Sequence, residues 1–288
     1  MINNRVILIF IDGWGLAGEG NPENPFLKGS QPFINECLSR NCRAIDACMG
    51  VDGIPQSATG QTSLLTGENA QKILGFHLEG FPSKTLRTIL QQKNIFKKLI
   101  SMEFSCDFLN AYHPGFFKNA KSFWSCTTVA AMAAFNRVRT LDMLAEGKAV
   151  YQEITNQFLA DRGFDVPVIT PEKAAENLLT CSEDLNFALF EYFLTDHCGH
   201  RQDMNWAQKI LSQLNIFIEE ISKGLNPDRD LLIITSDHGN LEDLSIKSHT
   251  RNPVPLITIG NGAPNFRKNV ENVSQIPDQV IKHLKNIL

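Results

Sequence analysis

Short apolar runs, rich in β-branched and aromatic residues, constrain the fold of this chain more than any other sequence feature. Such runs are typical of strands that are buried on both faces, as in a parallel sheet. Four clear runs and then two weaker ones are Val6–Ile11, Ala188–Leu194, Leu231–Thr235, Pro255–Ile259, Ala44–Cys48 and Phe104–Leu109. Segments with helical periodicity lie between them, and this alternation predicts an α/β sheet covered by helices on both faces.

The clearest helical pattern runs from Trp206 to Ile221, where apolar residues recur every three or four positions after a predicted N-cap at Asp203. Three further segments predict helices, two of them with proline in the first turn: Asn94–Ile100, Pro171–Leu179 and Pro277–Leu284. We expect a single domain over residues 1–288. Prolines and aromatic residues interrupt the pattern within about 77–184, which predicts a small cap or insertion there.

Three of the predicted strands run into an aspartate: Asp12, Asp196 and Asp237. Ligands of open α/β sheets bind outside the carboxyl ends of the strands, so we expect these side chains to converge. One such aspartate is ordinarily explained as a helix N-cap. Three converging carboxylates would repel one another and would be costly to desolvate, whereas divalent cations remove both difficulties.

Three histidines strengthen the prediction of a metal site. His200 lies four residues after Asp196, so one helical turn would direct both side chains to one ion. His238 directly follows Asp237, and His249 lies eleven residues further on. A mixed set of aspartate and histidine suits zinc, manganese or iron better than magnesium or calcium.

The segment Gly53–Gly67 combines glycines with small hydroxyl residues. This composition predicts a tight turn into a helix that presents a hydroxyl and backbone N–H groups near an anion site. Spacing alone does not choose among its five hydroxyl residues, which are Ser57, Thr59, Thr62, Ser63 and Thr66.

The charge of the chain excludes some classes of partner. A formal net charge of −4 offers no general attraction to nucleic acid or to an anionic membrane, so an anionic substrate would need local positive charge such as bound metal. No apolar stretch approaches the roughly 18 residues that span a bilayer. The run Val6–Ile11 is too short for a signal peptide, and the seven cysteines are scattered. These features predict a cytoplasmic soluble protein.

Five motifs together resemble the metalloenzyme domain of cofactor-independent phosphoglycerate mutases, a branch of the alkaline phosphatase superfamily. In chain order they are Phe10–Gly15, Gly53–Gly67, Thr195–His200, Ser236–Asn240 and His249–Pro255. The resemblance is strongest over residues 5–75 and 190–260. It implies an alkaline-phosphatase-like three-layer sandwich with a mostly parallel central sheet and a modest insertion.

The resemblance also implies roles for individual residues. The Gly-Asn-Ser motif that supplies the nucleophile of those mutases corresponds in register to Gly60-Gln61-Thr62, which selects Thr62 as the nucleophile. Two divalent ions, Mn²⁺ or Zn²⁺, are implied. The ligands of one would be Asp12, Thr62, Asp237 and His238, and those of the other would be Asp196, His200 and His249.

The chain departs from those mutases in one respect. Thr62 and Asp196 are only 134 positions apart, too few for the large second domain that the mutases insert there. We therefore expect a two-metal phosphoester or phosphonate hydrolase that acts on a small substrate through a phospho-threonine. A compact phosphomutase and a non-catalytic, metal-binding regulatory protein are the alternatives.

Residues that contact the substrate are harder to predict. His77, Arg87 and His113 fall in regions expected to approach the site, and an ordinary solvated surface charge is the competing explanation for each. Four further basic residues are open to the same two explanations or to an ion pair: Lys84, Arg137, Arg139 and Arg251.

Overall fold

A computed structural model describes residues 4–18, 20–29, 31–118 and 120–286. The strands are β1 (Arg5–Ile11), β2 (Cys42–Ile45), β3 (Cys106–Phe108), β4 (Ala111–Tyr112), β5 (Arg139–Thr140), β6 (Phe187–Tyr192), β7 (Asp230–Thr235) and β8 (Val254–Gly260). The helices of the N-terminal half are α1 (Pro32–Arg40), α2 (Ser57–Thr66), α3 (Ala70–Leu74), α4 (Lys84–Lys93), α5 (Ile95–Ile100), α6 (Cys126–Phe135) and α7 (Leu141–Ala145). Those of the C-terminal half are α8 (Gln157–Asp161), α9 (Pro171–Ser182), α10 (Leu194–Arg201), α11 (Met204–Lys223), α12 (Ala263–Lys268) and α13 (Ile276–Leu284).

Six strands form the central sheet, in the order β2-β8-β7-β1-β6-β3. Strand β1 pairs in parallel with both β6 and β7, and β3 pairs in parallel with β6. Strand β8 runs antiparallel to both of its neighbours, β7 and β2. The carboxyl ends of β6, β1 and β7 therefore lie side by side at one edge of the sheet.

The side chains of β1 show why the sheet is covered on both faces. All seven residues of the strand are buried. Val6, Leu8 and Phe10 belong to one hydrophobic core, whereas Ile7, Ile9 and Ile11 belong to another. Successive side chains of a strand point to opposite faces, which explains this division. A continuous apolar run, rather than an alternating one, is the pattern that such a strand requires.

Helices supply the other half of each core. The first core includes side chains of α2, α4, α5, α6, α12 and α13, and the second includes side chains of α1, α9, α10 and α11. The chain thus has an α/β fold with a mostly parallel six-stranded sheet between two helical layers, which confirms the predicted fold class. No helix in the described ranges is both long enough and apolar enough to cross a bilayer.

Two predicted strands differ from those observed. The run Pro255–Ile259 forms most of β8, which is antiparallel, because an apolar run carries no information about strand direction. The run Ala188–Leu194 predicts a strand that continues to Leu194, but β6 ends at Tyr192 and α10 begins at Leu194. Asp196 consequently lies in the first turn of a helix.

The segment 77–184, where a cap or insertion was predicted, is divided between the main layers and a smaller unit. Helices α4, α5, α6 and α9 and strand β3 contribute to the two main cores or the central sheet. Strands β4 and β5 form a separate two-stranded sheet beside a small apolar cluster that includes Leu144, Tyr151 and Leu159. The boundaries of a cap stay a prediction.

Candidate metal centre

Three neighbouring strands bring the acidic residues of the site together. Asp12 follows β1, Asp237 and His238 follow β7, and Asp196 lies in the first turn of α10, just after β6. Thr250 N donates a hydrogen bond to Gly239 O at 3.0 Å, and this contact places His249 beside His238. The predicted convergence at the carboxyl edge of the sheet therefore follows directly from the strand order.

The first group of potential ligands consists of Asp12, Asp237 and His238, all of them buried. His238 Nε2 lies 3.2 Å from Asp12 Oδ1 and 3.5 Å from Asp237 Oδ2. These two carboxylate oxygens are buried and accept no hydrogen bond. Buried, unpaired carboxylate oxygens that face an imidazole nitrogen fit the donor set of a divalent transition metal.

The second group is centred on Asp196. Its Oδ1 lies 3.3 Å from His249 Nε2, and its Oδ2 lies 3.3 Å from His200 Nε2. The two imidazole nitrogens are 3.2 Å apart. The ring of His238 stacks on that of His249 with a centroid distance of 3.7 Å, so the two groups adjoin one another.

Each of the three imidazoles has a backbone carbonyl near its Nδ1 atom, and for His238 this is Gly239 O at 3.3 Å. His249 Nδ1 lies 3.1 Å from Pro55 O, and His200 Nδ1 lies 2.7 Å from Lys247 O. A carbonyl can only accept a hydrogen bond, so these contacts favour the tautomer in which Nδ1 carries the proton. The Nε2 atoms that face Asp196 are then free to bind a metal, as in many metal sites with an outer shell of acceptors.

The charges of the site are unbalanced without cations. Burial raises the pKa of Asp12 well above its usual value, and the nearby carboxylates of Asp237, Asp196 and Glu191 raise it further. Burial also opposes ionisation of Asp196, but hydrogen bonds from His200 and His249 bring its pKa below the usual value. Its partner His200 has a pKa raised to about 9 by the same contact. The raised pKa values of Asp12 and His200 thus favour protons at atoms where metal ions would bind.

The predicted nucleophile Thr62 is not part of this cluster, and this expectation is corrected. Its side chain is fully buried in the middle of α2, where its hydroxyl donates to Ala58 O at 2.6 Å. Ser57, the first residue of α2, lies instead with its Oγ 2.9 Å from His238 Nε2. The structure therefore brings the hydroxyl of Ser57, rather than that of Thr62, to the six other predicted residues.

A physical signal in the sequence could have distinguished these hydroxyls. The first N–H groups of a helix have no partner within the helix and can bind an anion, so a useful hydroxyl belongs in the first turn. Thr62 lies one turn further on, where threonine commonly donates to the carbonyl four residues earlier. The Gly-x-hydroxyl pattern selects a hydroxyl five residues after Ser57, the one that the structure brings to the cluster.

Sequence comparison with known proteins identifies the superfamily of the chain and two sets of relatives. A family model described as the Metalloenzyme superfamily matches residues 4–286. The chain belongs to this superfamily. A phosphopentomutase from Methylobacterium nodulans is 42% identical over 64 residues, which are 22% of this chain and 16% of that protein. A 2,3-bisphosphoglycerate-independent phosphoglycerate mutase from Antithamnion sp. is 31% identical over 110 residues, which are 34% of this chain and 21% of that protein.

The matched segments therefore span about a fifth of the length of these curated relatives. Solved structures extend the likeness to the whole fold. The PH0037 protein from Pyrococcus horikoshii superposes with a TM-score of 0.59 at 14% identity, covering 100% of this chain and 98% of that one. A phosphoglycerate mutase from Leishmania mexicana gives a TM-score of 0.60 at 9% identity, covering 98% and 95%. The predicted membership of a metalloenzyme superfamily is confirmed by the family model, and the resemblance to phosphoglycerate mutases is confirmed by the matched segment.

Glu242 is a site residue that the sequence analysis missed. Its side chain is fully buried. Its Oε2 accepts hydrogen bonds from Gly15 N at 3.0 Å and Asn240 N at 2.8 Å, and its Oε1 accepts from Thr250 Oγ1 and from Asn252 Nδ2 at 3.1 Å. One carboxylate thus joins the segments that follow Asp12, His238 and His249. Its position after Ser236–Asn240 gave no sign of this role.

Two amides hold metal-facing carboxylates in place and were also missed. Gln61 Nε2 donates to Asp12 Oδ2 at 3.1 Å, and Asn240 Nδ2 donates to Asp196 Oδ1 at 2.7 Å. Such contacts orient the carboxylates and leave their other oxygens for an ion. Both amides lie inside the motifs that carry the family resemblance, which was the only available signal.

Glu191, near the end of β6, is a further buried carboxyl group beside the site. Thr127 Oγ1 donates to its Oε2 at 2.5 Å, and burial raises its pKa to about 7. With Asp12, Ser57 and Asp196 it lines a cavity of about 720 Å³, large enough for a small-molecule substrate.

The predicted substrate residues fall into two sets. His113 lines this cavity, and burial lowers the pKa of its imidazole. His77 Nε2 contacts Val51 O at 3.1 Å, while Arg87 donates to Pro82 O and Trp124 O, and neither residue lines the cavity. Backbone contacts hold both side chains away from the cavity lining, and their role in substrate binding stays a prediction.

The four other basic residues named in the sequence analysis do not line the cavity either. Arg137 and Arg139 both pair with Asp107, at 3.2 and 2.9 Å, and so stabilise the fold around β3 and β5. Lys84 begins α4 and Arg251 is exposed. Neither of the latter two lines the cavity.

Proposed function

We propose that this chain is a two-metal-dependent hydrolase of phosphoesters or phosphonates that acts through a covalent phospho-serine at Ser57. One observation carries the proposal: Ser57 Oγ lies 2.9 Å from His238 Nε2, at the first residue of α2 and beside both groups of potential ligands. A hydroxyl that adjoins a metal centre at a helix N-terminus is well placed for nucleophilic attack on phosphorus.

We assign one metal ion to each of the two groups of potential ligands. Asp12, Asp237 and His238 would hold one ion. The other ion would be held by Asp196, His200 and His249, and the proposed metals are Mn²⁺ or Zn²⁺ because the donors mix nitrogen with oxygen. Thr62 is left out of this set, since its hydroxyl donates within its own helix.

The reaction is proposed to proceed in two displacements. The Ser57 hydroxyl gives up its proton to solvent as its Oγ attacks phosphorus, the bond from phosphorus to the ester oxygen breaks, and the departing alcohol takes a proton from solvent. A water molecule then cleaves the phospho-serine and restores the hydroxyl. Divalent ions, when bound, lower the pKa of a hydroxyl and neutralise the charge on phosphate oxygens. The first N–H groups of α2, which Gln56 does not cap with its side chain, would bind the same oxygens.

A compact phosphomutase is the second candidate, because the curated relatives are named as phosphopentomutases and phosphoglycerate mutases. The two activities differ in the fate of the phosphoryl group. With ribose 5-phosphate or 3-phosphoglycerate and Mn²⁺, a hydrolase releases inorganic phosphate, whereas a mutase forms the isomeric phosphoester without releasing it. Phosphorus NMR of the reaction mixture distinguishes these products.

The proposed nucleophile is tested with a matched pair of variants. Wild type, Ser57→Ala and Thr62→Val are assayed with Mn²⁺ or Zn²⁺ on para-nitrophenyl phosphate, its bis-ester and para-nitrophenyl phenylphosphonate. Ser57→Ala should lose at least ~10³-fold in kcat, as expected when a covalent nucleophile is removed. Thr62→Val should keep the activity, because the contacts that are lost, with Ala58 O and Cys126 Sγ, lie outside the proposed metal centre.

Metal content and circular dichroism of each variant exclude loss of metal or of fold as the cause. Equal activity of Ser57→Ala and wild type would contradict the assignment of the nucleophile. No turnover of any substrate by a metal-loaded wild type would contradict the hydrolase proposal. A small phosphorylated or phosphonate substrate and a cytoplasmic location stay predictions from the sequence.

A further inference from the structure

The lining of the cavity beside Ser57 and Asp196 includes three pairs of aromatic side chains, one of which is Tyr112 with Phe116. The rings of Phe81 and Phe123 meet edge to face, with centroids 5.6 Å apart and an interplanar angle of 88°. The rings of Phe193 and His197 are 5.2 Å apart and tilted by 51°. His197 directly follows Asp196 and Phe193 precedes it by three residues, and all three line the cavity.

The pair of Phe81 and Phe123 is not explained by packing within the protein. Phe81 is 48% exposed and Phe123 is 56% exposed, and neither belongs to the hydrophobic cores of the described residues. A single exposed phenylalanine needs no explanation, but a pair of them in a cavity that contains a nucleophile and metal-binding residues has the composition of a ligand site. The exposed ring faces are therefore available to a substrate.

The charges of the cavity argue against a strongly polar leaving group. Among the described lining residues, Arg162 is the only lysine or arginine, and it is exposed. Asp12 and Asp196 also line the cavity, but both are assigned to the two ions, which would hold the phosphate that is transferred. A second phosphate or carboxylate on the substrate would therefore find Arg162 as its one further cation, whereas an uncharged aromatic group meets aromatic walls.

We propose that the natural substrate is a phosphoester whose alcohol carries an uncharged aromatic ring, which packs against Phe81, Phe123 and Phe193. The proposal rests on the proposed hydrolase function, because it names the substrate of that reaction. The Ser57 hydroxyl gives up its proton to solvent as its Oγ forms a bond to phosphorus, the bond from phosphorus to the ester oxygen breaks, and the aromatic alcohol leaves with a proton from solvent. The phenylalanines take no part in the bond changes and act only on binding and orientation.

The test compares two phosphate esters that differ in one property. 2-Phenylethyl phosphate and 2-cyclohexylethyl phosphate have primary-alcohol leaving groups of similar size and reactivity, and only the first is aromatic. Ribose 5-phosphate serves as a polar third ligand. Dissociation constants are measured by calorimetry with the Mn²⁺-loaded Ser57→Ala variant, which binds without turnover, and kcat/KM is measured separately with Mn²⁺-loaded wild type.

We expect the phenyl ester to bind at least roughly 10-fold more tightly than the cyclohexyl ester, because each aromatic contact favours an aromatic partner by about 2- to 10-fold. Adding Phe81→Leu and Phe123→Leu together to the Ser57→Ala protein should bring this ratio towards one. Phe76→Leu, a change at a phenylalanine that is 52% exposed and does not line the cavity, should leave the ratio unchanged.

Several results would overturn the proposal: equal binding of the two esters, tighter binding of ribose 5-phosphate, no measurable binding of the phenyl ester, or a ratio that survives both phenylalanine substitutions. These results are independent of the outcome for catalysis. A 10-fold binding preference without turnover of any ester by wild type would refute the hydrolase while leaving the aromatic site in place. Turnover without an aromatic preference in binding would refute the aromatic site alone.

Discussion

Removing the carboxylate of Glu242 should destabilise both the fold and the metal centre. In Glu242→Ala, four hydrogen-bond donors lose their acceptor: Gly15 N, Asn240 N, Thr250 Oγ1 and Asn252 Nδ2. Gly15 and Asn240 are buried, so water cannot readily replace the lost acceptor. These donors lie on the three segments that carry Asp12, His238 and His249, and the loss therefore reaches both groups of potential ligands.

The magnitude follows from the two buried backbone donors. An unsatisfied buried N–H group costs about 1–3 kcal/mol, which gives a loss of roughly 2–6 kcal/mol in the free energy of unfolding. Glu242→Gln retains one acceptor oxygen and should lose about half as much. Loss of a residue that orients metal ligands typically weakens metal binding about 10- to 100-fold, and we expect this range for Mn²⁺ in the alanine variant.

Urea unfolding of the chelated protein measures the first quantity, and calorimetric titration with Mn²⁺ measures the second. Asp243→Ala is the matched control, because this neighbouring carboxylate accepts hydrogen bonds from Ser245 in an exposed turn. Its free energy of unfolding should change by less than about 1 kcal/mol. If Glu242→Ala behaved like this control in both measurements, Glu242 would not organise the centre and the reasoning would be wrong.

Three further predictions address packing, charge and metal. Gly60→Ala should cost about 1–3 kcal/mol in urea unfolding, since its Cβ would lie 2.7 Å from Asp237 O, whereas Gly18→Ala, with nothing within 4 Å, should be neutral. Burial raises the pKa of Glu191 from its usual value near 4.5 to about 7, so ionisation destabilises the fold as pH rises. The chelated wild type should therefore lose roughly 3 kcal/mol relative to Glu191→Gln between pH 4.5 and 8, and equal pH profiles would contradict this. Mn²⁺ or Zn²⁺ at ~100 times its dissociation constant should stabilise wild type by about 2.7 kcal/mol and Asp237→Asn by less, and an unchanged melting temperature would argue against a metal centre.

The fold was largely predictable wherever the sequence pattern of a single strand or helix is enough to identify that element. Strands β1 and β7 are buried on both faces, so their composition identifies them without knowledge of their neighbours. Helix α11 has an apolar face along its whole length, and Asp203 caps it by accepting from Trp206 N, as predicted. The direction of β8 was not predictable, because direction depends on the connection to β7 rather than on the strand itself. Strands β4 and β5 have two residues each, too few for any pattern.

The candidate site was predictable to the extent that sheet geometry determines it. Residues that directly follow parallel strands converge whatever else the chain does, and Asp12 and Asp237 are of this kind. Which of Ser57 and Thr62 lies beside these ligands depends on where α2 begins, and the family motif does not indicate that boundary. The role of Glu242 was not predictable because three of its donors, Gly15, Thr250 and Asn252, lie on other segments, and no local sequence pattern indicates contacts of that kind.

The pairing of β1 also has a consequence for the synthesis of the chain. Val6 pairs with Phe187 and Arg5 pairs with Asp230, so both neighbours of the strand are made long after the strand itself. At roughly 5–20 residues per second, an apolar strand waits on the order of ten seconds or more for its first partner. Throughout that interval the nascent polypeptide exposes a segment prone to aggregation. Protection of this segment at the ribosome, by a chaperone or by transient contacts, is therefore a condition for a high yield of native protein.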